Sequence, residues 1–245
     1  MNYSFLNNKL HNSNPSIVAN ALFLIALLLV GKADPMAIVF AYVFETIIIG
    51  LVHVVKLFYI IKNNKPMKRE SKVGNFLLIP FFMIHYGIFV AIQSIFLYTA
   101  FAINDERFST SLSFSNFVEI LHLEGFKLVT LSILATHVAS FYFSFLKVKK
   151  YNQQHLGAYM VKPYLRIFLQ QFLAIIPFFF LFFMNAVGIV AAILLILMRT
   201  LLDYYFSLIA KDAEKIKALA IRIMDQKKPE ELPKIEATLK VFFEE

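Results

Sequence analysis

Cysteine and tryptophan are both missing from this 245-residue chain, and glycine is scarce, at seven residues. Without cysteine there are no disulfides, no zinc–thiolate sites and no thiol nucleophile. Few glycines leave little room for the loops that cradle phosphates. Charge is also thin. Only 16% of residues are Asp, Glu, Lys or Arg and 59% are hydrophobic, whereas a soluble domain has about a quarter charged and 45–50% apolar. An ordinary soluble enzyme, a disordered chain and a fibrous repeat are all excluded on that balance.

Aromatic and aliphatic residues fill the chain instead: 28 Phe and 11 Tyr, with a mean hydropathy of +0.68. A hydrocarbon core about 30 Å thick needs roughly 20 apolar residues per helical crossing. Six stretches qualify as spans, at residues 16–30, 36–61, 76–103, 126–146, 164–184 and 187–209. The first is the weakest, being short and holding Asn20. None alternates with period two, so the expected fold is an all-α bundle of six transmembrane helices and not a β-barrel. The Asn-rich start and the lack of a small-residue cleavage pattern after the first span do not read as a cleaved signal peptide.

The loops predict an orientation. Lys62, Lys65, Lys68, Arg69 and Lys72 stand between spans two and three against one acid, Glu70. Lys147, Lys149, Lys150, Lys162 and Arg166 gather around the loop between spans four and five. The loop between spans three and four is acidic, with Asp105, Glu106, Glu119 and Glu124 against Arg107 and Lys127. Basic loops stay in the cytoplasm, which puts both termini there. The net charge of +8 follows largely from this asymmetry. Anionic lipid headgroups are the expected partners, and nucleic acid is not.

Two flanking elements complete the organisation, after a short N-terminal segment (residues 1–15). In residues 113–122, Phe114, Phe117, Val118 and Leu121 recur at helical spacing, with Asn116, Glu119 and His122 on the other side. This predicts a short helix in the outer interface. The tail, residues 210–245, extends the last span and then adds an amphipathic helix through Ile235, Leu239 and Phe242. It reads first as a solvated end, with a protein partner or a second copy of the chain as the alternative.

Ionisable groups inside a bilayer cost several kcal/mol unless paired, and so point to function. The spans hold Glu45 and Lys56 on the second and Arg199 and Asp203 on the sixth, with each pair on one helix face. His53, His85 and His137 join them, with Tyr86, Gln93 and Gln171 as further polar groups. Counting about 1.5 Å per residue from the cytoplasmic ends puts His53, His85 and His137 at about 12–13 Å depth. Arg199 falls at about 15 Å, Gln171 at about 10 Å, Asp203 at about 9 Å and Lys56 at about 8 Å. Glu45 and Gln93 lie higher, at about 24–26 Å.

Several readings follow. A structural polar layer would pair Asp203 with Lys56 and send Arg199 up toward Glu45, the other polar groups bonding between helices. A site for Zn²⁺ or another divalent transition metal would use the three histidines, with Asp203 or Tyr86 orienting a ring. A haem between two histidines is its weaker variant. A titrating His–Glu–Asp chain would carry protons or a small solute across the membrane, and a lipid or quinone pocket is a further option. Enzyme signatures are absent from the sequence: no H-E-x-x-H, no G-x-S-x-G, no P-loop and no G-x-G-x-x-G. Thr130, His137, Ser140 and Ser144 share one face of span four, and packing by small hydroxylated residues explains them better than a Ser–His pair.

These residues form a pattern. Glu45 with His53-Val-Val-Lys56, His85-Tyr86-Gly87, Thr136-His137 with Ser140-Phe141, Pro163 with Arg166-Ile167, then Arg199 and Asp203 follow in order. Over residues 36–205 the chain resembles a bacterial family of integral membrane proteins known only as a domain of unknown function. The resemblance implies a multi-pass protein of the bacterial inner membrane and shared polar positions, but no activity. His53 stands where the family has Asn, Gln171 where it has His, and Arg199 where it has Lys. The loss of a histidine at Gln171 counts against a metal. The expected function is therefore a non-enzymatic membrane protein whose buried cluster binds a metal ion or small solute. A structural scaffold and a proton-coupled transporter are the alternatives.

Overall fold

The computed structural model describes residues 15–63, 74–102, 105–111, 113–152, 156–157, 159–164, 167–168, 188–223 and 229–243. Regular structure among them is helical throughout. The main elements are α1 (Pro15–Leu29), α2 (Pro35–Asn63), α3 (Leu78–Ala102), α4 (Phe114–His122), α5 (Phe126–Ser140), α6 (Gly188–Ala210), α7 (Ala213–Ile223) and α8 (Leu232–Phe243). Four helices, at Pro35–Asn63, Gly74–Thr99, Phe126–Leu146 and Ala192–Ala210, are long and apolar enough to cross a membrane. They coincide with expected spans two, three, four and six. The first expected span is helical but only 15 residues long, about 22 Å at 1.5 Å per residue and short of a crossing. Nearly all of the fifth, with Gln171, lies outside the described residues, as do most of the basic residues between spans two and three.

Local chemistry sets the helix ends. Gly31 (φ +71°) closes α1. The Lys32 amide donates to the Leu27 carbonyl and the Gly31 amide to Leu28, the paired bonds of a Schellman motif. Asp34 then caps α2, its carboxylate accepting from the Met36 amide at 2.7 Å, with Pro35 at the first helical position where no N–H is needed. The Asp34 amide donates to the Glu124 carbonyl at 2.9 Å, joining this turn to the start of α5. Gly125, at φ +78°, lies against it so closely that a Cβ there would stand 2.5 Å from the Lys32 carbonyl oxygen.

A short helix is present at the expected place, α4, with Ser113 as its N-cap. One of its residues departs from expectation. Asn116, placed by periodicity on the polar side, is fully buried. Its side chain accepts from the Ser109 amide and donates to the Ser109 and Ser111 carbonyls. It folds the preceding loop onto the helix, so a loop backbone replaces water as its partner. Phe114 is left 84% exposed.

Helix α2 is the central element, packing on α3, α5 and α6. Its surroundings divide into two apolar clusters. Toward its N-terminus, Phe40 meets the rings of Tyr98, Phe101 and Phe108 at 5.0–5.8 Å, and Ala37, Ala41 and Ala192 allow close helix approach. Toward its C-terminus, Leu57, Ile60, Phe82, Tyr86, Phe145 and Tyr159 form the second cluster. Tyr86 lies directly on Gly50, where a Cβ would stand 2.6 Å from the ring, and donates to the Thr46 carbonyl at 2.9 Å. Between the two clusters α2 carries its polar residues, from Glu45 to His53. Helix α5 continues past Ser140 as a π-helical turn, Phe141–Leu146, which brings Phe145 into the second cluster. Such turns are rare and recur beside functional sites.

The two left-handed glycines separate strain from packing. Gly31→Ala meets open space and should cost only the left-handed penalty of about 1–2 kcal/mol. Gly125→Ala must also displace the Lys32–Ala33 backbone, adding about 1–3 kcal/mol. Thermal unfolding in detergent should therefore rank Gly125→Ala clearly below Gly31→Ala. Equal melting temperatures would refute the tight junction.

Candidate functional site

Glu45 is 5% exposed in the middle of α2. Its Oε1 meets Nε2 of His137, from α5, at 2.8 Å, and its carboxylate is salt-bridged to the guanidinium of Arg199, from α6. Arg199 Nε also stands 3.4 Å from Asp203, one turn along α6. The guanidinium covers the face of the Tyr42 ring at 4.6 Å, one turn before Glu45 on α2. One carboxylate is thus shared by cations and donors from two other helices. A buried carboxylate needs that, because each unmatched lone pair forfeits solvation that the membrane interior does not return.

The cluster forms one wall of a cavity of about 180 Å³. Asn20 of α1, His53 and Lys56 of α2, Thr136 and Ser140 of α5, and Lys162 line it further. Phe242 and Phe243 of the tail helix close one side, and Phe243 packs on Phe206 of α6 at 5.4 Å. His53 stacks on the Tyr159 ring at 5.0 Å and tilts against Phe82 at the same distance. Lys56 Nζ stands 5.6 Å from the Phe145 ring and Lys162 Nζ 5.7 Å from that of Tyr159.

The three histidines do not converge. His53 and His137 line the cavity, but His85 faces away from it, exposed, with Nδ1 2.9 Å from the Tyr164 hydroxyl and its ring stacked on Phe81. Residue counting fixes the level of a side chain along a helix but leaves its direction around the axis open, and His85 points to another side of α3. Among the described residues no three His, Cys, Asp or Glu side chains stand together as a metal site. Tyr86 and Gln93 are buried outside the cavity. The expected Arg199–Glu45 bond is present, and Lys56 and Asp203 line the same cavity.

Sequence reading missed Tyr42, Tyr159 and Thr200, which also line the cavity, and the closing role of Phe242 and Phe243. It counted Lys162 only as a loop charge. Asn20 carried a signal, since a polar residue in an otherwise apolar short helix needs a reason.

A family model matches residues 7–220, which contain the whole cluster. The chain belongs to DUF6498, a family of unknown function. No curated protein and no solved structure matches it. The DUF6498 match covers every cavity-lining residue of α1, α2, α5 and α6 and ends before the tail helix that supplies Phe242 and Phe243.

Removing one partner of the buried cluster should destabilise this protein strongly. Arg199→Met removes the guanidinium that engages both Glu45 and Asp203, and a loss of about 3–5 kcal/mol is expected. Adding Glu45→Gln to it should recover part of that loss. A double-mutant cycle by denaturant unfolding in detergent reads the coupling. Additive losses at the two positions would show that the bridge contributes nothing specific.

Proposed function

We propose that this DUF6498 protein is an integral membrane protein that binds a small anionic solute in the cavity beside Glu45 and Arg199. The observation that carries this reading is the charge of the cavity wall. Glu45 and Asp203 are both engaged by Arg199, and the same cavity is lined by two further cations, Lys56 and Lys162. Among the described residues that line it, three cations stand with two acids. Low-dielectric walls focus the field of such cations onto the space between them. The volume suits a small ligand, since a cavity of roughly 150 Å³ holds one benzene.

The orientation belongs to the same proposal. With the basic loops in the cytoplasm and both termini inside, the cavity lies in the inner half of the bundle. Lys56 and Lys162 then stand at its cytoplasmic side and the Glu45–Arg199 bridge at its floor. A structural scaffold is the second reading, favoured by the way Glu45 ties α2, α5 and α6 together. A cavity open to anions separates the two.

The absence of cysteine makes the chain a clean background for single-cysteine labelling. Ser140→Cys stands in the cavity wall, and Leu131→Cys, at a site 62% exposed on the same helix, faces outward in the span. A small sulfonate-bearing thiol reagent, added at the cytoplasmic face of membrane vesicles, should label Ser140→Cys at least tenfold faster than Leu131→Cys. It should also outpace the trimethylammonium analogue, after correction for their rates with a free thiol. Equal labelling at both sites, or a preference for the cationic reagent, would end the anion-binding reading.

A further inference from the structure

His53 is 5% exposed and lines the cavity, yet among the described residues its Nε2 has no hydrogen-bond partner. The other side of the ring is engaged by a hydrogen bond to the backbone of Tyr159. A backbone carbonyl accepts only, so that bond holds the ring proton on Nδ1 and leaves a lone pair on Nε2. The ring cannot turn over freely, being stacked on Tyr159 and tilted against Phe82. A buried acceptor without a donor forfeits solvation that apolar surroundings do not return. Lys56, one turn along α2, and Lys162 are engaged elsewhere, and neither donates to this nitrogen.

Two further groups of the wall present acceptors, for a local reason. Thr136 of α5 and Thr200 of α6 line the same cavity. Each donates its hydroxyl hydrogen back along its own helix, Thr136 to the Ser132 carbonyl at 2.9 Å and Thr200 to the Ile196 carbonyl at 2.6 Å. A hydroxyl whose only hydrogen is committed offers its lone pairs alone. Acceptors from α2, α5 and α6 thus border one space, and what they lack is hydrogen. A ligand N–H would supply it. A ligand hydroxyl supplies it and also accepts, which suits the Asn20 amide in the same wall.

We infer that the solute of this cavity is hydroxylated and donates an O–H to Nε2 of His53, with a second hydroxyl, where the solute has one, donated to Thr136 or Thr200. This rests on the anion-binding reading above, and together with it names the class of ligand as a small hydroxy acid. The smallest hydroxy acids are close to benzene in size and fit a cavity of about 180 Å³.

The test uses the full chain carrying Ser140→Cys in detergent, labelled by an uncharged thiol reagent so that the readout has no charge preference of its own. Propanoate, lactate and glycerate share one carboxylate and differ in the hydroxyls they carry. A site with buried acceptors rejects the analogue that lacks the hydroxyl, so glycerate should protect the thiol at least about tenfold better than propanoate, with lactate between. His53→Phe keeps the stacking and removes the acceptor, and should bring the three anions within about threefold of one another. His53→Gln, whose amide oxygen accepts, should retain part of the ranking, with melting temperature as the control for folding. If His53→Phe does not fold, the ranking in the parent and in His53→Gln decides. Equal protection by the three anions would mean that water alone answers Nε2. That result, a ranking unchanged in His53→Phe, or no protection by glycerate would overturn the inference. Failure of the underlying reading looks different. Propanoate that protects as well as glycerate leaves anion binding standing without the hydroxyl, whereas glycerol that protects as well as glycerate removes the anion and the hydroxy-acid class with it.

Discussion

A carboxylate inside an apolar bundle has to be answered from every side, and Glu45 organises this molecule because its answers come from different helices. His137 reaches it from α5 and Arg199 from α6, and Asp203 and Tyr42 complete the surroundings of the guanidinium. Lipid tails supply no hydrophobic drive between helices. What aligns these helices is therefore packing plus bonds that have no substitute in hydrocarbon. Sliding α5 or α6 by one turn, about 5.4 Å, would strand a buried charge at the cost of several kcal/mol. The register of three helices is thus tied to one residue.

The cavity follows from the same constraint. Interdigitated apolar side chains pack α2 against its neighbours both above Glu45 and below His53, where the two clusters form. Between them stand long side chains with directional bonds, which hold the helices by contacts at their tips and cannot fill the space around their stems. A polar band between two close-packed apolar layers leaves room, and the room is lined by whatever the band contains. The tail helix then covers one side with Phe242 and Phe243. That cover lies beyond the residues matched to the family model, so the cavity wall is built from the matched region and its cover is not.

Much of this was legible in the sequence. The fourth expected span, 126–146, coincides with a helix that includes its π-helical turn, because hydropathy reports a helix whatever its hydrogen-bond period. The Glu45–Arg199 bond was foreseen from two opposite charges that had no cheaper partner in the membrane. His85 was misjudged because a count along a helix does not give the angle around it. Asn116 was misjudged for a related reason: periodicity sorts residues into two faces, but a short loop folding back can turn the polar face into an interior. Tyr42 and Tyr159 were invisible, since in a chain with 11 tyrosines composition gives no ground for choosing two.

A layer that serves only to hold helices together has no use for surplus. Its charges would balance and each polar atom would end on another, because every unmatched group weakens the joint it is meant to make. Glu45, Arg199 and His137 meet that description. The remainder of the cavity wall does not. Nε2 of His53, in the same cavity, has no hydrogen-bond partner among the described residues. The bridge at Glu45 is the part of the polar layer that ties three helices together, and beside it stands a buried ring nitrogen that this joint does not use.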